Sequence, residues 1–190
     1  MVTKRAVVDV ESVLREIEAL SQTKFLPIIG PVKGKYLAET VRNHKVRRVL
    51  EVGTLIGYSA LLMAKNLPEN GQIETIEINP QSARAARENI LKAGLAGKIR
   101  IHTGNALDVI PEIKEEFDML FIDAAKNEYF EYLKLSEPKL KKNGVIFADN
   151  VKIFADQMQD FLQYLRKSGK YESQYIDVGF DGVEISKKLF

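Results

Sequence analysis

Cysteine is absent from this chain of 190 residues. That excludes a disulfide framework and any thiolate metal site. Histidine is nearly absent: the two present, His44 and His102, lack clustered partners and read as structural. No apolar run reaches the length that a membrane span needs. The first segment, "MVTKRAVVDVESVLREIEAL", carries charges throughout, unlike the apolar middle of a signal peptide. Neither sign of charge dominates. The formal net charge of +2 is too small for a nucleic-acid footprint, and the densest basic groups, Arg47-Arg48 with Lys139, Lys141 and Lys142, read as solvated ends of elements. Low-complexity segments, internal repeats and long linkers are missing as well. A cytoplasmic protein of one domain, residues 1–190, is the expectation, with 45% hydrophobic residues to build one core.

What the chain does contain is alternation. From Arg47 onward, short β-type runs trade places with amphipathic stretches. The strand candidates are Arg47–Val52, Gln72–Ile78, Ile99–Thr103, Phe117–Ile122 and Val145–Ala148, with two more at Tyr171–Val178 and Gly182–Lys187. Most are nearly continuous in apolar residues, as strands buried on both faces should be. Helical spacing marks Gln81–Gly94 after the start signal Asn79-Pro80, then Asn127–Leu140 and Asp156–Gly169. This pattern predicts an α/β fold, a mostly parallel seven-stranded Rossmann-like sheet with helices on both faces. "GFDG" (Gly179–Gly182) reads as a hairpin turn, which makes the last strand antiparallel. Residues 1–46 differ. Two helical stretches, Val8–Leu20 and Val32–His44, flank "SQTKFLPIIGP" and form an N-terminal cap beside the ligand mouth of a core spanning residues 47–190.

In such folds ligands bind beyond the carboxyl ends of the strands. "LEVGTLIGYSALLMA" brings Glu51 and Gly53 to that edge, and Gly53 and Gly57 permit a tight turn with close backbone approach. Their Gly-x-x-x-Gly spacing departs from the Gly-x-Gly-x-x-Gly that cradles a pyrophosphate, which disfavours a nicotinamide-dependent oxidoreductase. Glu77, in "IETIEINP", ends the second strand roughly 20 residues past the first glycine, where an acid can take two ribose hydroxyls. A ribose acid without a diphosphate cradle fits S-adenosylmethionine, with Glu51 balancing its positive end directly or through water.

A second cluster lies further on. "MLFIDAAK" places Asp123 past the fourth strand with Lys126 three residues on, and "VIFADN" places Asp149 and Asn150 past the fifth. Two carboxylates and an amide, without His or Cys, suit a hard divalent cation, magnesium first. A cation holding two adjacent oxygens of an acceptor lowers a phenol's pKa and fixes its angle of attack. Lys126 can take the proton or stay charged beside the oxyanion; the residues alone leave both roles open.

The segments "LEVGTLIGYSALLMA", "IETIEINP", "FIDAAKNEY" and "IFADNV" resemble those of the metal-dependent class I O-methyltransferases, the group of catechol and caffeoyl-CoA O-methyltransferases, over nearly the whole chain. The resemblance implies methyl transfer from S-adenosylmethionine, with S-adenosylhomocysteine as product, to a small catechol-like or hydroxycinnamoyl aromatic. It implies Asp123, Asp149 and Asn150 as ligands of Mg2+ or another divalent cation, and Lys126 as general base with Asp123 beside it in catalysis. It implies Glu77 at the ribose, Gly53, Tyr58, Ser59 and Glu51 around the methionine end, Ala106 beside the adenine, Ile29 closing over the cofactor and Asp123 touching it. A homodimer is expected on the same ground. Two departures matter: Ala124-Ala125 stand where catechol O-methyltransferase has His-Trp, and only "VKIFAD" follows Asn150, shorter than the plant caffeoyl-CoA enzymes. Bacterial relatives that methylate 5-hydroxyuridine in tRNA supply an alternative acceptor. A cofactor-binding protein that has lost its chemistry is the non-enzyme alternative, opposed by the intact Asp123, Lys126, Asp149 and Asn150.

Overall fold

The computed structural model describes residues 8–190, so the first seven residues of the expected N-terminal cap lie outside the described residues. Two helices come first, α1 (Val10–Thr23) and α2 (Gly30–Asn43), in place of the expected 8–20 and 32–44. Then β1 (Arg48–Val52), α3 (Tyr58–Asn66), β2 (Gln72–Glu77), α4 (Pro80–Lys92), β3 (Ile99–Thr103), α5 (Ala106–Glu112) and β4 (Phe117–Ile122) alternate. The chain ends with α6 (Tyr129–Ser136), β5 (Leu140–Ala148), α7 (Gln159–Lys167), β6 (Tyr171–Asp177) and β7 (Gly182–Lys188). Among the described residues no helix is long and apolar enough to cross a membrane.

The seven strands form one sheet in the order β3-β2-β1-β4-β5-β7-β6. β1 to β5 pair in parallel, and β7 inserts antiparallel between β5 and β6, as the hairpin signal at Gly179–Gly182 predicts. Alternate side chains of each central strand enter opposite layers, the period-2 rule at work. Val49, Met119, Phe121, Val145 and Phe147 face one core with α1 to α4. Leu50, Val52, Leu120, Ile122, Ile146 and Ala148 face the other with α5 to α7. Both faces are covered, which explains the near-continuous apolar strands.

Three local outcomes differ from the pattern. β5 begins at Leu140, earlier than its apolar part, because Lys141-Lys142-Asn143 continue the strand as exposed residues before Val145 enters the core. α5 escapes helical pattern-reading because it has seven residues and contains Pro111; Asn105 caps it by accepting from Leu107 N. The stretch expected as a helix over 127–140 is α6 with 3-10 turns at Lys126–Glu128 and Glu137–Lys139 at its ends, and Leu140 already belongs to β5.

Candidate active site

The sheet register builds the site. Val52 pairs with Ile76 and with Ile122, and Ile122 pairs with Ala148. The residue after each pair continues the ladder by one rung: Gly53 N donates to Ile76 O (3.0 Å), Asp123 N to Val52 O (2.9 Å) and Asp149 N to Ile122 O (3.1 Å). Gly53, Glu77, Asp123 and Asp149 therefore stand in one row along the carboxyl edge, at the switch point between β1 and β4. A cavity of about 680 Å³ opens above them.

Gly53 is required by this crossing. Its φ of +101° is unfavourable for other residues, and a Cβ there would meet the Asp123 carbonyl oxygen at 2.1 Å. Gly57, with φ of +89°, caps the start of α3, whose first residues Tyr58 and Ser59 line the cavity. Both Glu77 oxygens are fixed by backbone amides, Oε2 by Leu55 N (2.7 Å) and Oε1 by Asn79 N (2.8 Å). Each oxygen keeps a second lone pair for a ligand hydroxyl.

Of the residues singled out in the sequence, Ile29, Gly53, Tyr58, Ser59, Glu77, Ala106, Asp123, Lys126, Asp149 and Asn150 all line this one cavity. Glu51 does not line it. Its side chain is 0% exposed and stands behind Ser59, whose hydroxyl donates to Glu51 Oε1, while Oε2 is buried without a partner. Burial pushes the Glu51 carboxyl up to about 7, the Ser59 bond opposes this, and the charges of Asp123 and Glu77 add to it. His44 and His102 lie outside the cavity. His102 does have a partner, Glu74, at 2.5 Å across β2 and β3.

At the other end of the row, Lys126 Nζ donates to Asp123 Oδ1 (2.7 Å) and to the Tyr129 hydroxyl (3.0 Å), which donates on to Asp149 O (3.1 Å). Burial and the negative charges of Asp123 and Asp149 hold the Tyr129 phenol well above its usual range, so it stays a neutral relay. Two further residues belong here that sequence reasoning passed over. Lys33 Nζ, from α2, donates to Asp149 Oδ2 (2.7 Å) and to Asp181 Oδ2 (2.9 Å). Burial would lower the Lys33 pKa, but the two carboxylates carry it upward, so it is an ammonium. Asp181 also accepts from Asn150 Nδ2 (2.7 Å). Burial alone would raise its pKa, and the Lys33 and Asn150 bonds bring it below the usual carboxylate range. In the sequence Lys33 is one lysine among several on a helix, and Asp181 is half of an Asp-Gly turn; neither carries a signal of its own.

Asp149 is pushed upward first by burial and then by the charge of Asp123, despite the Lys33 ammonium beside it. Among the described residues no three His, Cys, Asp or Glu side chains converge as a metal site. The set Asp123, Asp149 and Asn150 has instead two carboxylates and one amide. Its all-oxygen chemistry fits a hard cation, and mutual repulsion between the two carboxylates is what such a cation relieves.

The cavity wall is mainly apolar: Phe25, Pro27 and Ile28 come from the loop before α2, and Ile153 and Phe154 follow Asn150. Phe25 is 97% exposed at the rim. The basic lining side chains are Lys33 and Lys126, and both are in ion pairs.

Comparison with known proteins adds four findings. The family model described as O-methyltransferase matches residues 5–166. The chain is 41% identical over 127 residues to catechol O-methyltransferase of Niastella koreensis, covering 65% of this chain and 58% of that protein. It is 35% identical over 172 residues to catechol O-methyltransferase of Mus musculus, covering 86% and 64% respectively. The chain thus spans about three fifths of the length of these relatives. Among solved structures it is similar to the O-methyltransferase TomG of Streptomyces achromogenes in complex with SAM, with a TM-score of 0.86, 27% identity, and 94% of this chain and 90% of that one covered.

Proposed function

The chain belongs to the O-methyltransferase family, and from that premise we propose that it moves a methyl group from S-adenosylmethionine to one hydroxyl of a small aromatic bearing two neighbouring oxygens. The observation that carries this reading is the single row at the sheet edge, which sets a ribose-type acid, Glu77, and an oxygen-donor cluster, Asp123 with Asp149, against one cavity. Two relatives named catechol O-methyltransferase and a similar structure holding SAM support it.

S-adenosylmethionine supplies an electrophilic methyl on a sulfonium. Glu77 accepts from its ribose hydroxyls, with both carboxylate oxygens already aimed by Leu55 N and Asn79 N. Ala106 lies beside the adenine. Tyr58, Ser59 and the Gly53 turn face the methionine end, and Glu51 acts on it from behind through Ser59. Ile29, 5% exposed at the start of α2, covers the cofactor. Asp123, Asp149 and Asn150 hold Mg2+ or another divalent cation, which when bound acidifies a phenol and fixes its orientation. Lys126, positioned by Asp123 and Tyr129, takes the acceptor's proton as the neutral amine, having first released its own proton to solvent. Ile153 and Phe154 offer a flat ring an apolar wall, and Phe25 stands exposed at the rim beside it.

The lining of the cavity supports one acceptor over the other. A tRNA would need free basic side chains around the mouth. Here the lining lysines are paired and the remaining charged lining residues are acidic, Glu77, Asp123, Glu128 and Asp149, which favours the small molecule over 5-hydroxyuridine in tRNA.

The test is transfer from methyl-labelled S-adenosylmethionine to a simple catechol, with Mg2+ and then with EDTA. Label in the catechol that EDTA abolishes is expected. No transfer by a protein that binds the cofactor would overturn the small-aromatic reading, and transfer that persists in EDTA would overturn the cation.

A further inference from the structure

Asp181 lies at the start of the last strand, far along the chain from every residue placed at the reaction centre, yet it packs against the turn after β5. The hairpin is tied there by Val151 N donating to Gly182 O (3.1 Å). Asp181 is 6% exposed and has three donors: Asn150 Nδ2 at 2.7 Å and Lys33 Nζ at 2.9 Å on Oδ2, and Ile153 N at 3.4 Å on Oδ1. Lys33 continues to Asp149 Oδ2 at 2.7 Å, and Asn150 N closes onto Asp149 Oδ1 at 2.7 Å.

The logic is one of donors and acceptors. An ionised carboxylate only accepts, whereas an amide donates from one side and accepts on the other. With Asp181 on one side of the Asn150 amide, the nitrogen must face Asp181 and the oxygen must point away from it. The Asn150 backbone sits in the left-handed region, φ +63°, which asparagine tolerates, and that backbone conformation does not itself fix which way the side-chain amide is turned. Something outside the turn has to settle which end faces the cavity. The same carboxylate also anchors Lys33, whose ammonium bridges to Asp149 and limits its rotation.

We infer that Asp181 is a positioning residue of the cation site: it locks the Asn150 amide with its oxygen free for a divalent cation and, through Lys33, whose ammonium reaches both oxygens of Asp149, holds the Asp149 carboxylate in place. This rests on the cation reading above. It ties the hairpin between β6 and β7, and α2 through Lys33, to the geometry of the reaction centre. Lys33 is four residues from Ile29, so the segment covering the cofactor is linked to the same cluster.

The experiment measures Mn2+ binding by the full chain with electron paramagnetic resonance, S-adenosylhomocysteine binding by calorimetry, and the thermal midpoint, for wild type, Asp181→Ala and Asp181→Asn. Losing a partner that orients a metal ligand typically weakens metal binding about 10- to 100-fold. That loss is expected for Asp181→Ala, with unchanged S-adenosylhomocysteine affinity. Asp181→Asn keeps an acceptor for Asn150 but not the charge for Lys33, so its Mn2+ affinity should fall between the other two. Asp181→Ala binding Mn2+ like wild type would overturn the inference. So would Asp181→Asn as weak as Asp181→Ala, or an equal loss of S-adenosylhomocysteine affinity, which signals a collapsed pocket. Should Asp181→Ala fail to fold, wild-type Mn2+ affinity in Asp181→Asn would overturn it. Wild type that binds S-adenosylhomocysteine but no Mn2+ would remove the cation reading itself, an outcome seen before any variant is made.

Discussion

Replacing Gly53 by alanine probes the crossing of β1 and β4 on which the site depends. Two costs are separable. The φ of +101° is a conformation that costs a residue with a side chain about 1–2 kcal/mol. The added Cβ would lie 2.1 Å from the Asp123 carbonyl oxygen and 2.8 Å from its carbon, both backbone atoms in a rung of the sheet. Overpacking of that kind costs about 1–3 kcal/mol. The sum is about 2–5 kcal/mol, and each kcal/mol lowers the midpoint by roughly 2–4 °C in a chain of this size. Gly57→Ala isolates the first cost, because its φ is also positive at +89° but its Cβ would make ordinary contacts with Ala86, at 3.4 Å to Cβ, 3.6 Å to Cα and 3.7 Å to the carbonyl oxygen. Urea unfolding of the two variants should therefore place Gly53→Ala below Gly57→Ala by the steric part. Relief of the clash moves Asp123 and with it the partner of Lys126; a displacement near 1 Å can cost about 100-fold in rate. Gly53→Ala that unfolds like Gly57→Ala and turns over like wild type would refute the claim that β1 and β4 meet this closely at the site.

Three further outcomes follow from the same geometry. Glu51 keeps its proton up to about pH 7 in the folded chain, against 4.5 ordinarily, so unfolding releases a proton between those values and stability falls as pH rises through that window, by at most about 3 kcal/mol. Asp149, raised by burial as well, contributes in the same direction, so Glu51→Gln should reduce the slope of the cofactor-free urea midpoint across that window without abolishing it; the same slope as wild type would remove Glu51 as one of its sources. Glu77→Ala should weaken S-adenosylhomocysteine binding by about 10- to 100-fold, the worth of losing one or two hydrogen bonds to a charged acceptor, and calorimetry giving wild-type affinity would place the ribose elsewhere. Lys126→Met should slow transfer by about 100- to 10,000-fold, the range of general-base contributions, while leaving S-adenosylhomocysteine affinity intact; a normal rate at neutral pH would strip Lys126 of its role.

Much of this was legible in the sequence because the central strands are buried on both faces and their ends coincide. An apolar run closing in Glu51-Val52-Gly53, Glu77, Asp123 or Asp149 marks both the strand and its edge, so the row of site residues could be read before the sheet was seen. The register that aligns those ends is a property of pairing between distant segments, and only the structure supplies it. What escaped reading did so for definite reasons. α5 is too short for periodicity and holds Pro111. β5 starts in exposed lysines. Glu51, read as balancing the cofactor's positive end directly or through water, stands in the layer behind Ser59, where strand alternation sends it, and no local pattern tells the direct route from the indirect one. Lys33 and Asp181 meet across 148 residues of chain, and a single lysine on a helix or an aspartate in a turn has no local pattern that announces such a partner.

The central claim is that one sheet edge serves both the cofactor and the acceptor's cation. The most direct measurement is a crystal structure of the chain with S-adenosylhomocysteine and Mg2+. The account predicts the ribose hydroxyls on Glu77 and the cation on Asp123, Asp149 and the Asn150 oxygen, in the same cavity. S-adenosylhomocysteine bound away from Glu77, or a cation that avoids Asp149 and Asn150, would contradict it.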